Sequence, residues 1–298
     1  MSEHRLHHIV AVLQALLVTF LWSTSFVIIK WGLADIPPIT YAGLRYFLAF
    51  LCFLPIIMKK KYREEIKELS SRQWSQLTLL GFVFYTLTQG LQFLGLSLLP
   101  AVSVSLMLNF TPIVVAIMGV VLLKEHPSRM QWVGTIIFLV GIIFYFVPLS
   151  MEGNKSLGLI VMSFGVLANA GAGILGRGIN RKRDISPVVI TFLSMGVGSV
   201  ILIITGVAYS GIPSIGLQNW CYLLWLAVVN TAFAFTLWNH TLRSISAMES
   251  SIINGTMLIQ IAVLAWIFLD ERITAQEGFG MAIAAIGATL VQLKRSKT

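Results

Sequence analysis

Charge is what this sequence has least of. Only 11% of its 298 residues are Asp, Glu, Lys or Arg, against 57% hydrophobic residues and a mean hydropathy of +0.85. A soluble globule of this length could not be wrapped in so little polar surface, so the composition reads as a polytopic membrane protein. Cysteine is also scarce. Cys52 and Cys221 both fall in or beside apolar runs, which excludes a disulfide framework and a CxxC metal site. No GxxxxGK[ST] phosphate loop is written, nor an HExxH pair, nor a matched nucleophile and base. These absences weigh against nucleotide-driven chemistry and against a membrane-embedded enzyme, and no catalytic residue, metal or cofactor is expected. All 12 acids lie in loops or near run ends, so no midplane carboxylate is available for a proton relay.

Apolar length is what the chain has most of. Ten runs suit a hydrocarbon core of ~30 Å: 9–29, 39–58, 74–96, 100–123, 129–148, 156–177, 187–208, 217–239, 246–269 and 275–293. Period-two alternation is missing, which leaves an all-α bundle as the fold class. The net charge of +9 comes from bases in short loops without interleaved aromatics, so no nucleic-acid partner is expected. Among the 21 Lys and Arg, only Lys30, Lys155 and Arg272 fall on the side opposite the termini, and Arg45 lies inside the second run. The positive-inside rule then puts both termini in the cytoplasm, in an integral protein of a prokaryotic plasma (inner) membrane. The longest loop, Lys59 to Gln73, reads as a cytoplasmic linker with a short surface helix.

The chain repeats itself. Sliding it by 146 positions lays Leu99–Gly141 over Ile245–Gly287 without a gap. Ser105 meets Ser251, Glu125 meets Glu271, Ser128 meets Thr274, Gln131 meets Glu277, Gly134 meets Gly280 and Gly141 meets Gly287, and further back Trp74 meets Trp220. Residues 1–150 and 151–298 thus form two five-helix repeats. Five is odd, so the second copy enters the membrane from the opposite side, an inverted-topology arrangement that recurs in secondary transporters with a midplane site between the repeats. Ser128-x-x-Gln131 and Thr274-x-x-Glu277 each read as a capping box opening the last helix of a repeat.

Leu21-Trp22-Ser23 in the first helix, Arg45 with its aromatic neighbours in the second, Leu99 leading into Ser103, Pro112, and an acidic hairpin before a late glycine resemble, in that order, the drug/metabolite transporter superfamily, EamA group. The resemblance spans essentially the whole chain. It implies a carrier of small organic metabolites, often outward, through a central cavity lined by both repeats. Multidrug or quaternary-ammonium efflux is an alternative, with a non-transport membrane protein behind it. The related small multidrug transporters carry a first-helix glutamate, whereas this chain offers Trp22, Ser23, Thr24 and Ser25.

Polar residues inside apolar runs are the candidates for substrate contact. In the third run Tyr85, Thr88, Gln89 and Gln92 fall at i, i+3, i+4 and i+7 and so share one face, and they serve either as interhelical glue or as substrate contacts. Asn109 and Phe110 precede Pro112, whose missing N–H predicts a kink. The eighth run brings Asn230, Trp238 and His240. The ninth brings Glu249, Asn254, Thr256 and Gln260. Trp22, Ser23, Tyr85, Gln89, Gln92, Asn109, Phe110, Asn230, Trp238 and Asn254 are therefore expected to bind a small-molecule substrate, and Glu249, His240 and Arg45 to carry a coupling or charge role. Arg45 suits a substrate carboxylate, although a side chain so near the outer end could snorkel to the interface. Small residues in the sixth helix, Gly165 to Gly176, predict a hinge or tight seam, and Gly280, Ala284 and Ala288 a packing stripe within the fold or in a homodimer.

Overall fold

The computed structural model describes residues 3–123, 128–147, 154–182, 184–241, 244–245, 250 and 253–292. Every apolar run is helical, and no strand occurs among the described residues. The elements are α1 (Glu3–Gly32), α2 (Pro38–Ile57), α3 (Lys60–Lys67), α4 (Ser71–Leu80), a π-helical segment (Gly81–Gln89), α5 (Gly90–Leu98), α6 (Ala101–Leu108) and α7 (Thr111–Leu123). They continue with α8 (Arg129–Phe146), α9 (Lys155–Lys182), α10 (Pro187–Ser210), α11 (Leu217–Ala227), a second π-helical segment (Val228–Phe233), α12 (Ala234–Thr241), α13 (Met257–Leu269) and α14 (Ala275–Gln292). Among the described residues, seven continuous helices are long and apolar enough to span a bilayer. The fourth and ninth runs are shorter apolar helices among the described residues, Ala101–Val115 and Ile253–Leu269, each with a local interruption, at Asn109–Phe110 and at Thr256. The molecule is an all-α polytopic membrane protein.

Element boundaries obey the 146-residue shift. Arg129–Phe146 maps onto Ala275–Gln292, and Thr111–Leu123 onto Met257–Leu269. The helix breaks coincide as well, although Leu258 stands where the first repeat has Pro112. A proline is therefore not required for an interruption at this place, and Pro112 lies in the first turn of α7, where its missing N–H costs no intrahelical bond. The expected kink is a two-residue interruption at Asn109–Phe110, between α6 and α7. The π segments correspond too, Val228–Phe233 falling on residues 82–87 of the first.

The chain divides into two compact units, each drawing on both repeats. Unit 1 comprises Met1–Val27, Leu99–Ser156 and Phe233–Thr298, and unit 2 comprises Ile28–Leu98 and Leu157–Ala232.

Unit 1 is built on the pairing of α8 with α14. A Cβ at Gly141 would lie 2.4 Å from Ala284 N, and one at Gly287 2.3 Å from Phe138 N, so glycine is needed for the two backbones to touch. Ala284 and Ala288 are buried in the same seam. The small-residue stripe of α14 is thus filled from within the chain, not kept for a second copy. Both capping boxes form: Ser128 and Gln131 exchange bonds at α8, and Thr274 and Glu277 do so at α14. At the end of α13, Asp270 adopts φ +56. The following carboxylate, of Glu271, accepts from the N–H groups of Ala101 (2.7 Å) and Val102 (3.2 Å), capping α6 across the repeats.

Unit 2 packs α10 against α2 and the first π segment. The close approaches are at Gly198, where a Cβ would sit 2.4 Å from Gly81 O, and at Gly206 and Gly43, against Thr40 and Ile203. The small residues of the sixth run pack only in part: an added Cβ at Gly165 would lie 3.4 Å from Leu91 and one at Gly171 3.9 Å from Val83, and Ala170 and Ala172 are buried. Around Gly173 and Gly178 nothing approaches within 4 Å, and α9 runs unbroken past them. The linker helix α3 is more than a surface feature, since the Glu65 carboxylate accepts from Ser186 N at the start of α10. Trp74, Trp132 and Trp220 are exposed at helix starts, as interfacial anchors are.

Candidate functional site

The expected site residues separate into two groups. Unit 2 holds Arg45, Tyr85, Gln89, Gln92 and Asn230; unit 1 holds Trp22, Ser23, Asn109, Phe110, Trp238, His240 and Asn254. Glu249 lies outside the described residues.

In unit 2 the centre is Arg45, eight residues into α2 and only 4% exposed. It does not snorkel. Its Nε–H donates to Thr231 Oγ1 at 3.2 Å, and its guanidinium carbon lies 5.2 Å from the Tyr46 ring centroid and 6.0 Å from that of Phe93. Thr231 sits in the second π segment and gives its own hydroxyl proton to Leu226 O, five residues back, at 2.8 Å. Its oxygen lone pairs are therefore left to receive Arg45. Tyr46 reaches the other π segment: its hydroxyl donates to Gln89 Oε1 at 2.7 Å, and its ring meets Tyr85 edge-on at 5.4 Å. Tyr85 is buried, and Asn230 is fully buried beside Thr231. Among the described residues no carboxylate pairs with Arg45. The acid at the start of this region, Asp35, is engaged by Asn219 Nδ2 at 2.7 Å.

The third run is not the α-helical face the spacing predicts. Over Gly81–Gln89 the turn is widened, and Thr88 donates to Val83 O, five residues back, instead of lining a polar stripe. Thr86 donates to Gly198 O on α10. Gln89 keeps its place in the cluster, and Gln92 follows half-buried on α5. A polar pattern with helical spacing carries no signal for a π turn, because an extra residue per turn changes which side chains align without changing composition. Tyr46 and Thr231, which hold the cluster together, were not expected at all. Each stands beside an expected residue, Arg45 and Asn230, and that adjacency is the only mark the sequence bears.

In unit 1 two smaller groups form. Trp22 packs on Phe235 and Trp238 with centroids 5.2 and 5.3 Å apart, and its indole N–H is buried with no hydrogen-bond partner among the described residues. The Ser23 hydroxyl, fully buried, lies 2.8 Å from Thr19 O and 3.0 Å from Gln260 Oε1. The Gln260 amide then donates to Thr256 Oγ1 at 2.9 Å and Thr19 Oγ1 at 3.3 Å. This network ties the first helix to the ninth run, and its Gln260 is a residue of the expected stripe whose amide is spent on packing. Asn109 donates to Ser105 O at 2.9 Å, closing its own helix end, and Phe110 packs edge-on against Phe138 at 4.7 Å. His240 and Asn254 are exposed. Among the described residues no group of three or more His, Cys, Asp or Glu is placed to hold a metal.

Comparison with known proteins agrees with this architecture. A relative in Bacillus subtilis (strain 168), the uncharacterized transporter YoaV, is 25% identical over 281 residues, covering 91% of this chain and 92% of its own. The S-adenosylmethionine/S-adenosylhomocysteine transporter of Chlamydia trachomatis serovar L2 (strain ATCC VR-902B / DSM 19102 / 434/Bu) is 22% identical over 295 residues, with 94% and 88% covered. A crystal structure 14% identical in sequence superposes with a TM-score of 0.66 over 94% of this chain and 96% of that one, a likeness of fold alone. The EamA-like transporter family model matches twice, over residues 9–147 and 156–293, one match per repeat. The chain belongs to the EamA-like transporter family.

Proposed function

We propose that this protein is a secondary carrier of small organic metabolites, amino acids or amphipathic and cationic solutes, that works by alternating access and runs outward from the cytoplasm. The observation that carries the reading is the meeting of polar side chains from both repeats inside the apolar span: Arg45 on Thr231, with Tyr46 on Gln89 beside them. An inverted repeat exposes such a site to either side as its copies exchange conformations. The relative that carries S-adenosylmethionine or S-adenosylhomocysteine supports an amphipathic, amino-acid-bearing solute. The loop bias of Lys and Arg supports cytoplasmic termini in a prokaryotic plasma membrane. Efflux of quaternary ammonium compounds is the second reading, favoured by the aromatic group of Trp22, Phe235 and Trp238, which suits a cationic head.

Counterflow into proteoliposomes tests the reading. Saturable, trans-stimulated uptake of at least one radiolabelled amino acid, nucleoside or quaternary ammonium compound is expected. Flux indistinguishable from protein-free liposomes across the whole panel overturns it.

A further inference from the structure

Arg45 brings a guanidinium cation into an apolar run. At 1.5 Å per residue it lies ~10 Å along α2 from Pro38, and it is 4% exposed. It makes one hydrogen bond, through Nε, to a neutral hydroxyl. Two aromatic faces attract it weakly. Its two Nη groups, four N–H bonds in a planar fork, have no partner among the described residues, and no Asp or Glu there balances the charge. A buried cation of this kind strongly favours any anion that can reach it. The two donors of such a fork match the two oxygens of one carboxylate. Beside it, the Gln89 amide N–H₂ is left unbonded among the described residues, since Tyr46 takes only the carbonyl oxygen. Arg45 lies over the face of the Tyr46 ring and Gln89 binds that ring's hydroxyl, so both donor groups adjoin one side chain.

We propose that Arg45 is the counter-ion for a single carboxylate of the transported solute, so that the chain carries monocarboxylates, zwitterionic amino acids included, and rejects solutes that are only cationic. The inference rests on the carrier reading above and decides between its two solute classes. One guanidinium balances one negative charge. A phosphate dianion would bring an unbalanced charge into the span, and a quaternary ammonium would meet a charge of its own sign. Thr231 orients the fork by holding Nε, and the second π segment, in which Thr231 stands, fixes where that hydroxyl sits.

The test uses the purified full-length protein and thermal stabilisation, since a ligand that binds the folded state raises its apparent stability. The probes are L-leucine, L-methionine, L-phenylalanine, lactate and benzoate, each beside its amide, together with inorganic phosphate and tetraphenylphosphonium. At least one acid is expected to shift the melting temperature saturably, while its amide, phosphate and tetraphenylphosphonium do not. In Arg45→Gln the acid's affinity should fall by about 100-fold or more, and Arg45→Lys should keep the charge while losing most of the affinity. Equal stabilisation by acid and amide, no stabilisation by any acid, or unchanged acid binding in Arg45→Gln each overturns the proposal. If Arg45→Gln does not fold, the comparison of acid with amide on the unaltered protein decides alone. Counterflow separates this proposal from the carrier reading. Transport of tetraphenylphosphonium without acid binding removes the carboxylate site and leaves the carrier. Acid binding without counterflow of any solute does the reverse.

Discussion

Arg45 of the first repeat donates its Nε–H to the hydroxyl of Thr231 in the second, 3.2 Å away. The acceptor stands in a π-helical turn, and its hydroxyl is shared between this bond and its own backbone at Leu226. Thr231→Val should remove both interactions at nearly constant volume. A hydrogen bond to a charged group contributes about 1.5–3 kcal/mol, so a loss of stability in that range is expected, with Thr231→Ser close to the parent. Thermal unfolding in detergent measures it, and a valine variant as stable as the parent would show that Arg45 has another acceptor.

Glu271 supplies both oxygens to the first two N–H groups of α6. Loss of a helix cap costs about 0.5–2 kcal/mol, and here the lost groups are charged. Glu271→Ala should therefore lower the unfolding midpoint clearly, and Glu271→Gln by less, because an amide retains one acceptor oxygen. Equal midpoints for all three proteins would refute the capping role.

Pro112→Ala separates cause from coincidence at the helix break. Since the ninth run breaks at the matching place with Leu258 in the matching position, the alanine variant should keep two helices. Its stability should change only by the proline's effect on the unfolded chain, about 0.4–1 kcal/mol. A crystal structure of the variant with one continuous helix over residues 101–123 would contradict this.

Two glycines should respond in opposite directions. At Gly141 an added Cβ meets the backbone of Ala284 at 2.4 Å and of Gly280 at 2.7 Å, atoms that cannot turn aside. Gly141→Ala is expected to cost about 1–3 kcal/mol through overpacking. At Gly173 nothing lies within 4 Å, and Gly173→Ala should stabilise its helix by about 0.5–1 kcal/mol. Melting temperatures of the pair, measured side by side, check both signs.

Much of the architecture was legible because the bilayer simplifies the code. Among the described residues each apolar run is helical, the fourth and ninth with an interruption, and Ser128/Gln131 and Thr274/Glu277 formed the boxes their spacing announces. The candidate site was legible in part. Arg45, Tyr85 and Gln89 came together in unit 2, and Trp22 met Trp238 in unit 1. Asn109 closes its own helix end and Phe110 packs on Phe138, and on α9 Gly173 faces open space while Gly165 lies against Leu91. A sequence states which side chains are small or polar but not what stands opposite them, and in a bundle that decides whether a polar group is glue, cap or site.

The sequence by itself determined the all-α class, the repeat and its 146-residue period, because hydrocarbon forces every backbone bond inward and leaves helix as the available form. It also put one base, Arg45, in an apolar run with no midplane acid, and left open whether the side chain would snorkel to the interface. Only the tertiary structure decided what that base meets. The π turns at Gly81–Gln89 and Val228–Phe233 re-aim side chains against α-helical spacing. The packing of α10 and α11 on α2 then places Thr231, nearly two hundred residues along the chain, against the Arg45 guanidinium. Long-range partners of this kind arise from packing between helices, and no local pattern in either helix encodes them.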